Sequence, residues 1–369
     1  MIPAAYYYDI YLMVVTLLTI PVISWYKTAT EESALYKRDN RIGSLLLLIA
    51  VVLFVGFRPL SGRFFGDMAN YYGNYIGMRG NHFTFSMDKG DPLFTNILDW
   101  FASNSIDFSL WCTLVAFIYF GLAYIAIRRM FWEHSYAVFL CYLAAFSTFS
   151  YATNGMRAGG AASIFLLALS YREKLLVCLP LALISYGFHH SMQLPVAALI
   201  LTLFFNNARW YYYGWLFCLL MALLHVGFFS SLFASFTDKT GANYLSNTDA
   251  TSGNYGGAGG FRLDFVLYSA IPVIVGYITE IRNKIKVSKL YETIMHVYIC
   301  TNGIWMLCMY ATFTNRIAYL SWQLYPIILL YPFLNEDTGY NRFRNCSKAI
   351  GWHLVFTLFM QLIFYKLLK

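Results

Sequence analysis

The stretch over residues 154–191 reads NGMRAGGAASIFLLALSYREKLLVCLPLALISYGFHHS and decides the fold that the sequence predicts. Two apolar runs lie back to back in it, separated only by the charged residues 172–174. Each run is long enough to form most of a transmembrane helix, and the short charged turn predicts a helical hairpin. The hairpin carries Arg157 and the pair His189 and His190 to the same membrane face, where we expect an active site.

The composition of the whole chain is typical of a membrane protein. Its 369 residues are 59% hydrophobic, 20% aromatic and only 12% charged, whereas an average soluble domain carries about 25% charge. Uncharged runs such as residues 42–57 and 293–313 approach the length of a membrane span. We predict an all-α polytopic integral membrane protein with one transmembrane domain over residues 1–369, whose exterior loops form the active site.

About 12 transmembrane helices are predicted. They cover residues 6–26, 42–57, 106–127, 135–153, 155–171, 175–189, 192–206, 210–233, 263–280, 293–313, 317–334 and 349–366. Most of the 26 Lys and Arg residues fall in alternate loops on one side, and the positive-inside rule places that side in the cytoplasm. The same bias explains the net charge of +8 without nucleic-acid binding.

Two long loops are predicted on the exterior side. The loop over residues 58–92 ends in Asp91 and Pro92, which read as an N-cap and a first-turn proline. An amphipathic helix is predicted to follow over residues 92–103, at the outer interface of the membrane. The loop over residues 234–262 is rich in glycine and is either a mobile lid or a plain connector.

Four arginines are candidates for binding phosphate groups. Arg157 and Arg316 each open an apolar run after a short polar stretch, and a guanidinium at membrane depth usually has a partner. The planar fork of arginine matches phosphate oxygens in pairs, so we assign these two residues, with Arg58 and Arg262, to phosphate binding. The alternative for any one of them is a snorkelling arginine that anchors a helix end.

Three residues are candidates for a general base. His189 and His190 lie in GFHHSMQLP at the outer end of a helix, where a histidine can take a proton near neutral pH. Each could instead donate a hydrogen bond to substrate or be satisfied by the backbone. Asp67, in RFFGDMANYYGNY, is a third candidate or a salt-bridge partner. No metal and no cofactor are predicted, since no HExxH motif or carboxylate triad lies near the histidines.

The residues assigned to sugar binding are tyrosines and asparagines near these charges. Tyr71 and Tyr72 follow Asp67, and a tyrosine offers a sugar both a stacking face and a hydroxyl. Because the chain has 31 tyrosines, such clusters also arise by chance. The other residues assigned to the sugar are Asn154, Asn315 and Tyr319.

At these residues the chain resembles the EpsG-like and Wzy-type polymerases of bacterial exopolysaccharide and O-antigen. The resemblance is carried by G-D-x-x-x-Y at Gly66, Asp67 and Tyr71, N-x-x-R at Asn154 and Arg157, F-H-x-S at Phe188, His189 and Ser191, and N-R at Asn315 and Arg316. The chain differs from the family at Ala158, where Gln is frequent, and at Asp91, where Glu often precedes the amphipathic helix.

The resemblance implies glycosyl transfer by a multi-pass protein of the bacterial inner (cytoplasmic) membrane, with its site facing the periplasm or exterior. The implied donor is a growing glycan on undecaprenyl diphosphate, and the acceptor is a new lipid-linked repeat unit. The resemblance thus assigns Arg157, Arg316, Arg58 and Arg262 to the diphosphate. Membrane lipids, a chain-length regulator and the flippase of the pathway are the implied partners. The alternatives are an O-antigen ligase, another lipid-linked glycosyl or acyl transferase, or a lipid-linked oligosaccharide flippase. A transporter is less favoured, because the charges cluster at one face and no repeat is evident.

Overall fold

The computed structural model describes residues 2–30, 41–225, 228, 260–283, 285–311 and 314–364, and every regular element in these ranges is helical. The α-helices are α1 (Tyr7–Thr28), α2 (Arg41–Gly56), α3 (Met68–Met78), α4 (Pro92–Ser103), α5 (Phe108–Met130), α6 (Ser135–Leu143), α7 (Thr148–Thr153), α8 (Met156–Ser170), α9 (Leu175–Phe188), α10 (Gln193–Phe204), α11 (Ala208–Leu223), α12 (Leu263–Tyr277), α13 (Lys289–Leu307), α14 (Asn315–Trp322), α15 (Tyr325–Asn335) and α16 (Arg342–Leu358). Short 3₁₀ segments cover Ala4–Tyr6, Trp132–His134 and His190–Met192, and π-helical turns cover Ile278–Arg282 and Phe359–Phe364.

The chain forms two compact units. The first comprises Met1–Gln193 and Leu330–Lys369, and the second comprises Leu194–Leu329. In the first unit, α8 packs along both α5 and α9, α2 packs on α5, and α1 packs on α16. In the second unit, α13 packs against α11 and α14.

Five helical stretches in the described ranges are long and apolar enough to cross a membrane. They are Ala4–Thr28, Phe108–Met130, Leu263–Arg282, Asn315–Asn335 and Arg342–Ile363. Four further apolar helices have only 10–17 residues: Ile42–Gly56, Met156–Ser170, Leu175–Phe188 and His190–Phe204. The all-α prediction is thus confirmed for the described residues, whereas the count of about 12 spans is not confirmed.

The predicted hairpin is present as α8 and α9, and the two helices pack closely. At Gly160, an added Cβ would lie 2.6 Å from a ring atom of Phe188, so only glycine allows this approach. The predicted amphipathic helix is also present, as α4, with its proline in the first turn. It buries Phe94, Leu98 and Ala102, which recur at a spacing of four residues along one face.

Two local features depart from the predicted topology. The predicted span over 135–153 is divided into α6 and α7, and Thr148 donates its hydroxyl to the carbonyl oxygen of Tyr142 across the break (2.6 Å). Such side-chain bonds compete with the helical backbone pattern. The predicted exterior loop over 58–92 contains a helix that the sequence did not suggest, α3. Of the glycine-rich loop, residues 234–259 lie outside the described residues.

Candidate active site

Asp91 is the centre of a hydrogen-bonded cluster in the first unit. Its carboxylate is 1% exposed, and its backbone is left-handed (φ 53°), a conformation that residues other than glycine seldom adopt. Asp91 occupies the N-cap position of α4, as predicted, but its side chain makes no capping hydrogen bond. The N-cap position and the first-turn proline are thus confirmed, and the carboxylate is instead engaged by residues of the α8–α9 hairpin.

Three residues of the hairpin contact this carboxylate. Arg157 donates from Nη1 to Oδ2 at 2.7 Å, and the backbone N–H of His190 donates to Oδ1 at 2.9 Å. The Nδ1 atoms of His189 and His190 lie 2.9 and 2.8 Å from the same Oδ1. Because an ionised carboxylate can only accept hydrogen bonds, both rings carry their proton on Nδ1. In the neutral rings this leaves each Nε2 as an acceptor.

The electrostatics of the cluster keep Asp91 ionised. Burial alone would raise the pKa of the Asp91 carboxyl, but hydrogen bonds from His189 and His190 overcome it and hold that pKa well below its usual range. His189 lies beyond the last residue of α9. Burial lowers the pKa of His189, against the opposing effect of Asp91. A lowered pKa favours the neutral ring of His189, which is the form that can accept a proton.

Arg157 is held in place by a second partner, Tyr71. Its Nε donates to the Tyr71 hydroxyl at 3.0 Å, and its guanidinium carbon lies 5.7 Å from the centre of the tyrosine ring. The ring of Tyr71 packs between Phe94 and Trp111, with centroid distances of 5.3 and 5.7 Å. The Arg157 side chain is 37% exposed, and its Nη2 makes no hydrogen bond to the described residues. This nitrogen is therefore free to bind an anion from outside.

Asp67 and Asn154 lie close to this cluster in the first unit. Asp67 is half-buried at the start of α3, and its carboxylate interacts electrostatically with the Arg157 guanidinium. Asn154 lies against Gly66, where an added Cβ would be 3.0 Å from the amide oxygen. The G-D and N-x-x-R motifs are thus neighbours in space.

Arg58 and Tyr72 have mainly internal contacts. Arg58 is buried, and it donates to the carbonyl oxygen of Val55 at 2.7 Å and to the sulfur of Met156 at 3.0 Å. Tyr72 packs against the ring of Phe108, with centroids 5.2 Å apart. Two assignments therefore remain predictions, that of Arg58 to the diphosphate and that of Tyr72 to the sugar.

The remaining candidates belong to the second unit. Arg262 forms a bidentate pair with Asp264, with distances of 3.0 and 2.7 Å, and stacks on the ring of Phe265. Asn315 and Arg316 open α14. Tyr319, one turn further on, packs on Trp322 at a centroid distance of 5.5 Å. Their roles remain predictions.

Asp91, His189 and His190 also form a group that could hold a metal ion, since one ligand atom from each lies within 4.8 Å of the others. A search for local motifs could not find this group, because Asp91 is 98 residues from His189. Binding of an ion would require the loss of the Nδ1 protons that now face the carboxylate.

Asp91 is the residue that the sequence did not assign to the site. A signal for it existed in the resemblance, because the related proteins often carry an acidic residue directly before the amphipathic helix. Read alone, an Asp-Pro pair before an apolar periodic segment is a common helix start. The polar partners of Asp91 come only from the folded hairpin.

A comparison with protein-family models gives a match to the EpsG family over residues 43–369. The chain belongs to the EpsG family. The matched range includes Asp91, Arg157, His189 and His190, and hence the whole cluster. Neither the curated proteins nor the solved structures contain a match to the chain. Membership of the EpsG family, together with the apolar helices, indicates a membrane protein of polysaccharide biosynthesis.

Proposed function

We propose that the chain is a membrane glycosyltransferase that polymerises undecaprenyl-diphosphate-linked repeat units into exopolysaccharide or O-antigen. The reaction takes place on the outer face of the inner membrane. One observation carries the proposal: a single buried carboxylate, Asp91, holds Arg157 and both His189 and His190. A cation for a leaving diphosphate and a base for an acceptor hydroxyl are thus joined in one cluster. Membership of the EpsG family supports the pathway.

In the proposed reaction, a hydroxyl of the acceptor sugar attacks the anomeric carbon of the donor glycan. The new glycosidic C–O bond forms, and the bond from the anomeric carbon to the diphosphate oxygen breaks. The hydroxyl proton passes to Nε2 of His189 or His190, and the lipid diphosphate leaves as an anion. Asp91 does not react in this scheme. It fixes the Nδ1–H tautomer and stabilises the imidazolium that forms, as the carboxylate of a catalytic triad does.

Arg157 neutralises the charge that develops on the diphosphate. Its contacts to Asp91 and Tyr71 fix the plane of the guanidinium, so little reorganisation is needed when the leaving group departs. Its Nη2, which makes no hydrogen bond to the described residues, is the atom that would contact a phosphate oxygen. In this proposal Arg316 and Arg262 extend the cationic set, and Asp67 is a second candidate base.

The other assigned residues complete the substrate contacts. Tyr71, Tyr72, Asn154, Asn315 and Tyr319 are proposed to contact the sugars, and Arg58 is proposed as a further diphosphate ligand. A flippase that delivers repeat units and a chain-length regulator are the protein partners that such a polymerase requires.

The glycan profile of a deletion strain on a gel tests the function. The strain is complemented with plasmids that carry the wild-type chain, Arg157→Ala or Asp91→Asn, at matched expression levels. We expect the wild type to restore a ladder of polymer lengths, and both variants to leave one repeat unit on the acceptor.

The other outcomes separate the alternatives. Loss of every glycan from the deletion strain, single units included, would indicate a ligase or a flippase. A ladder that persists in the deletion strain would show that the chain does not polymerise this glycan.

A further inference from the structure

A groove of about 360 Å³ lies between α3 and α4 in the first unit. Its volume falls within the ~300–1,000 Å³ that is usual for small-molecule sites. Arg157 of the Asp91 cluster is one of its lining residues, so the groove adjoins the candidate active site. The residues from the two helices that carry the argument below are Tyr71, Gly73, Asn74, Gly77, Thr95 and Asp99.

The polar groups in the groove suit a hydroxyl-rich ligand. Asn74 offers an amide that makes no hydrogen bond to any described residue, and the Thr95 hydroxyl donates to the carbonyl oxygen of Gly90 (2.7 Å) and can still accept. The Asp99 carboxylate accepts from Lys89 at 2.7 Å and has further acceptor capacity. Amide, hydroxyl and carboxylate together can both donate to and accept from sugar hydroxyls.

The charges in the groove argue against a second diphosphate. Arg157 is the one cation among the described residues that line it, and its guanidinium is already paired with Asp91, while Asp99 on α4 is paired with Lys89. A carboxylate repels phosphate but accepts readily from a sugar hydroxyl. Tyr71 and Phe94 also line the groove, but both are buried, so the polar groups of the groove would provide most of the contacts to a sugar.

Two glycines keep this groove open. Gly73 and Gly77 are four residues apart in α3, and an added Cβ at either would meet no atom within 4 Å. Neither has the positive φ that would require glycine. Glycine is unfavourable inside a helix relative to alanine. Gly160 differs, because close packing against Phe188 requires its small size. Gly73 and Gly77 therefore leave open space in the groove that Arg157 also lines.

We propose that the α3–α4 groove binds sugar rings of the glycan next to its reacting end. The identity of the ligand as a repeat-unit glycan rests on the proposed function. Arg157 joins the two subsites, since it binds Asp91 on one side and lines the groove on the other.

Filling the groove tests the proposal. Gly77→Leu places a side chain where an added Cβ would meet no atom within 4 Å, and Asn74→Ala removes a hydrogen-bonding group from an exposed position. The matched control is Gly351→Leu in α16, where an added Cβ also meets nothing within 4 Å, and which does not line the groove. Circular dichroism and thermal melting of each purified full-length variant establish that it is folded.

The direct measurement is equilibrium dialysis with a labelled repeat-unit oligosaccharide that has been freed of lipid and diphosphate. We expect saturable binding to the wild type and to Gly351→Leu, binding at least tenfold weaker for Gly77→Leu, and binding several-fold weaker for Asn74→Ala. If Gly77→Leu does not fold, the glycan affinity of Asn74→Ala tests the proposal. Wild-type affinity in the folded groove variants, or no saturable binding to the wild type, would overturn the proposal.

A polymerisation assay separates this proposal from the proposed function. If the wild type binds the free glycan but does not polymerise it, the groove proposal is supported and the proposed polymerase function is refuted. If Gly77→Leu polymerises the glycan as well as the wild type does, the groove proposal is refuted and the proposed polymerase function is supported. With donor polymer and acceptor unit titrated separately, the substrate whose KM rises in Gly77→Leu is the one whose sugars occupy the groove.

Discussion

Two Arg–Asp pairs in this protein have the same closest distance but different surroundings. Arg157 and Asp91 meet at 2.7 Å, and so do Arg262 and Asp264. The second pair joins residues two positions apart, and its side chains are 23% and 28% exposed. Arg262 donates from Nε and Nη2 to the two carboxylate oxygens of Asp264, so this ion pair forms within one short segment of the chain.

The pair of the first unit is different because the fold assembles it. Asp91 is 66 residues from Arg157, its carboxylate is 1% exposed, and it also binds His189 and His190. The Arg157 side chain is 37% exposed, and its Nη2 makes no hydrogen bond to any residue that the structure describes. An ion-pair distance alone therefore does not identify a site. Burial, shared partners and remaining hydrogen-bonding capacity distinguish the two pairs.

The largest expected effect is that of Asp91→Asn, compared with the same substitution at Asp264. Asp91→Asn keeps the shape of the side chain but offers an N–H₂ group where the histidines and Arg157 require an acceptor. We expect polymerisation to fall by on the order of 10³-fold, by analogy with the loss of the tautomer-fixing carboxylate in a catalytic triad. Asp264→Asn is the matched control and should change the rate less than about twofold, because a partly exposed pair of this kind contributes about 0–1 kcal/mol. Equal losses in both variants would remove the distinction between the pairs.

The arginines should differ for the same reason. Arg157→Lys retains the charge but not the fork that contacts Asp91, Tyr71 and a phosphate together, so we expect a loss of about 10²-fold in kcat. Arg316→Lys should also impair activity if its fork binds the diphosphate. Arg262→Lys should have a smaller effect than either. Initial rates with lipid-linked repeat units measure all three, and full activity in Arg157→Lys would end the phosphate-binding role.

The two histidines should not be equivalent. Both contact the same oxygen of Asp91, but only one can face the acceptor hydroxyl in a given complex. Loss of the general base should cost about 10²-fold or more, whereas loss of the other ring should cost much less. Single-turnover rates of His189→Ala and His190→Ala give the comparison. Equal and mild effects would assign both rings a structural role.

The pH dependence gives the smallest effect and the finest distinction. The pKa of Asp91 is lowered in the folded protein, so its contribution to stability is complete above its usual pKa of about 3.9 and is lost only as pH falls through the lowered value. The pKa of His189 is also lowered, by burial, so this ring stays neutral below its usual pKa of about 6.5. If His189 is the base, the acidic limb of the rate profile should have an apparent pKa below about 6.5. A limb at or above that value would favour another base.

Sequence reasoning succeeded where the signal is local. Apolar runs of sufficient length predicted the helices, and the charged turn between two of them predicted the hairpin of α8 and α9. The proline after Asp91 predicted where α4 begins. The break between α6 and α7 and the helix α3 were missed, since single hydroxyl contacts and a glycine-containing helix give weak local signals.

The sequence by itself determined that the chain is helical and membrane-like, and that Arg157 and the two histidines lie at one end of a hairpin. These conclusions follow from hydrophobicity and from the length of a helix, which depend only on neighbouring residues. Only the tertiary structure decided that Asp91 joins them, that Tyr71 orients Arg157, and that a groove opens beside it. The reason is physical: the partners of a buried carboxylate come from whichever segments the packing of the helices brings against it, and those segments are 66 to 99 residues away in the chain.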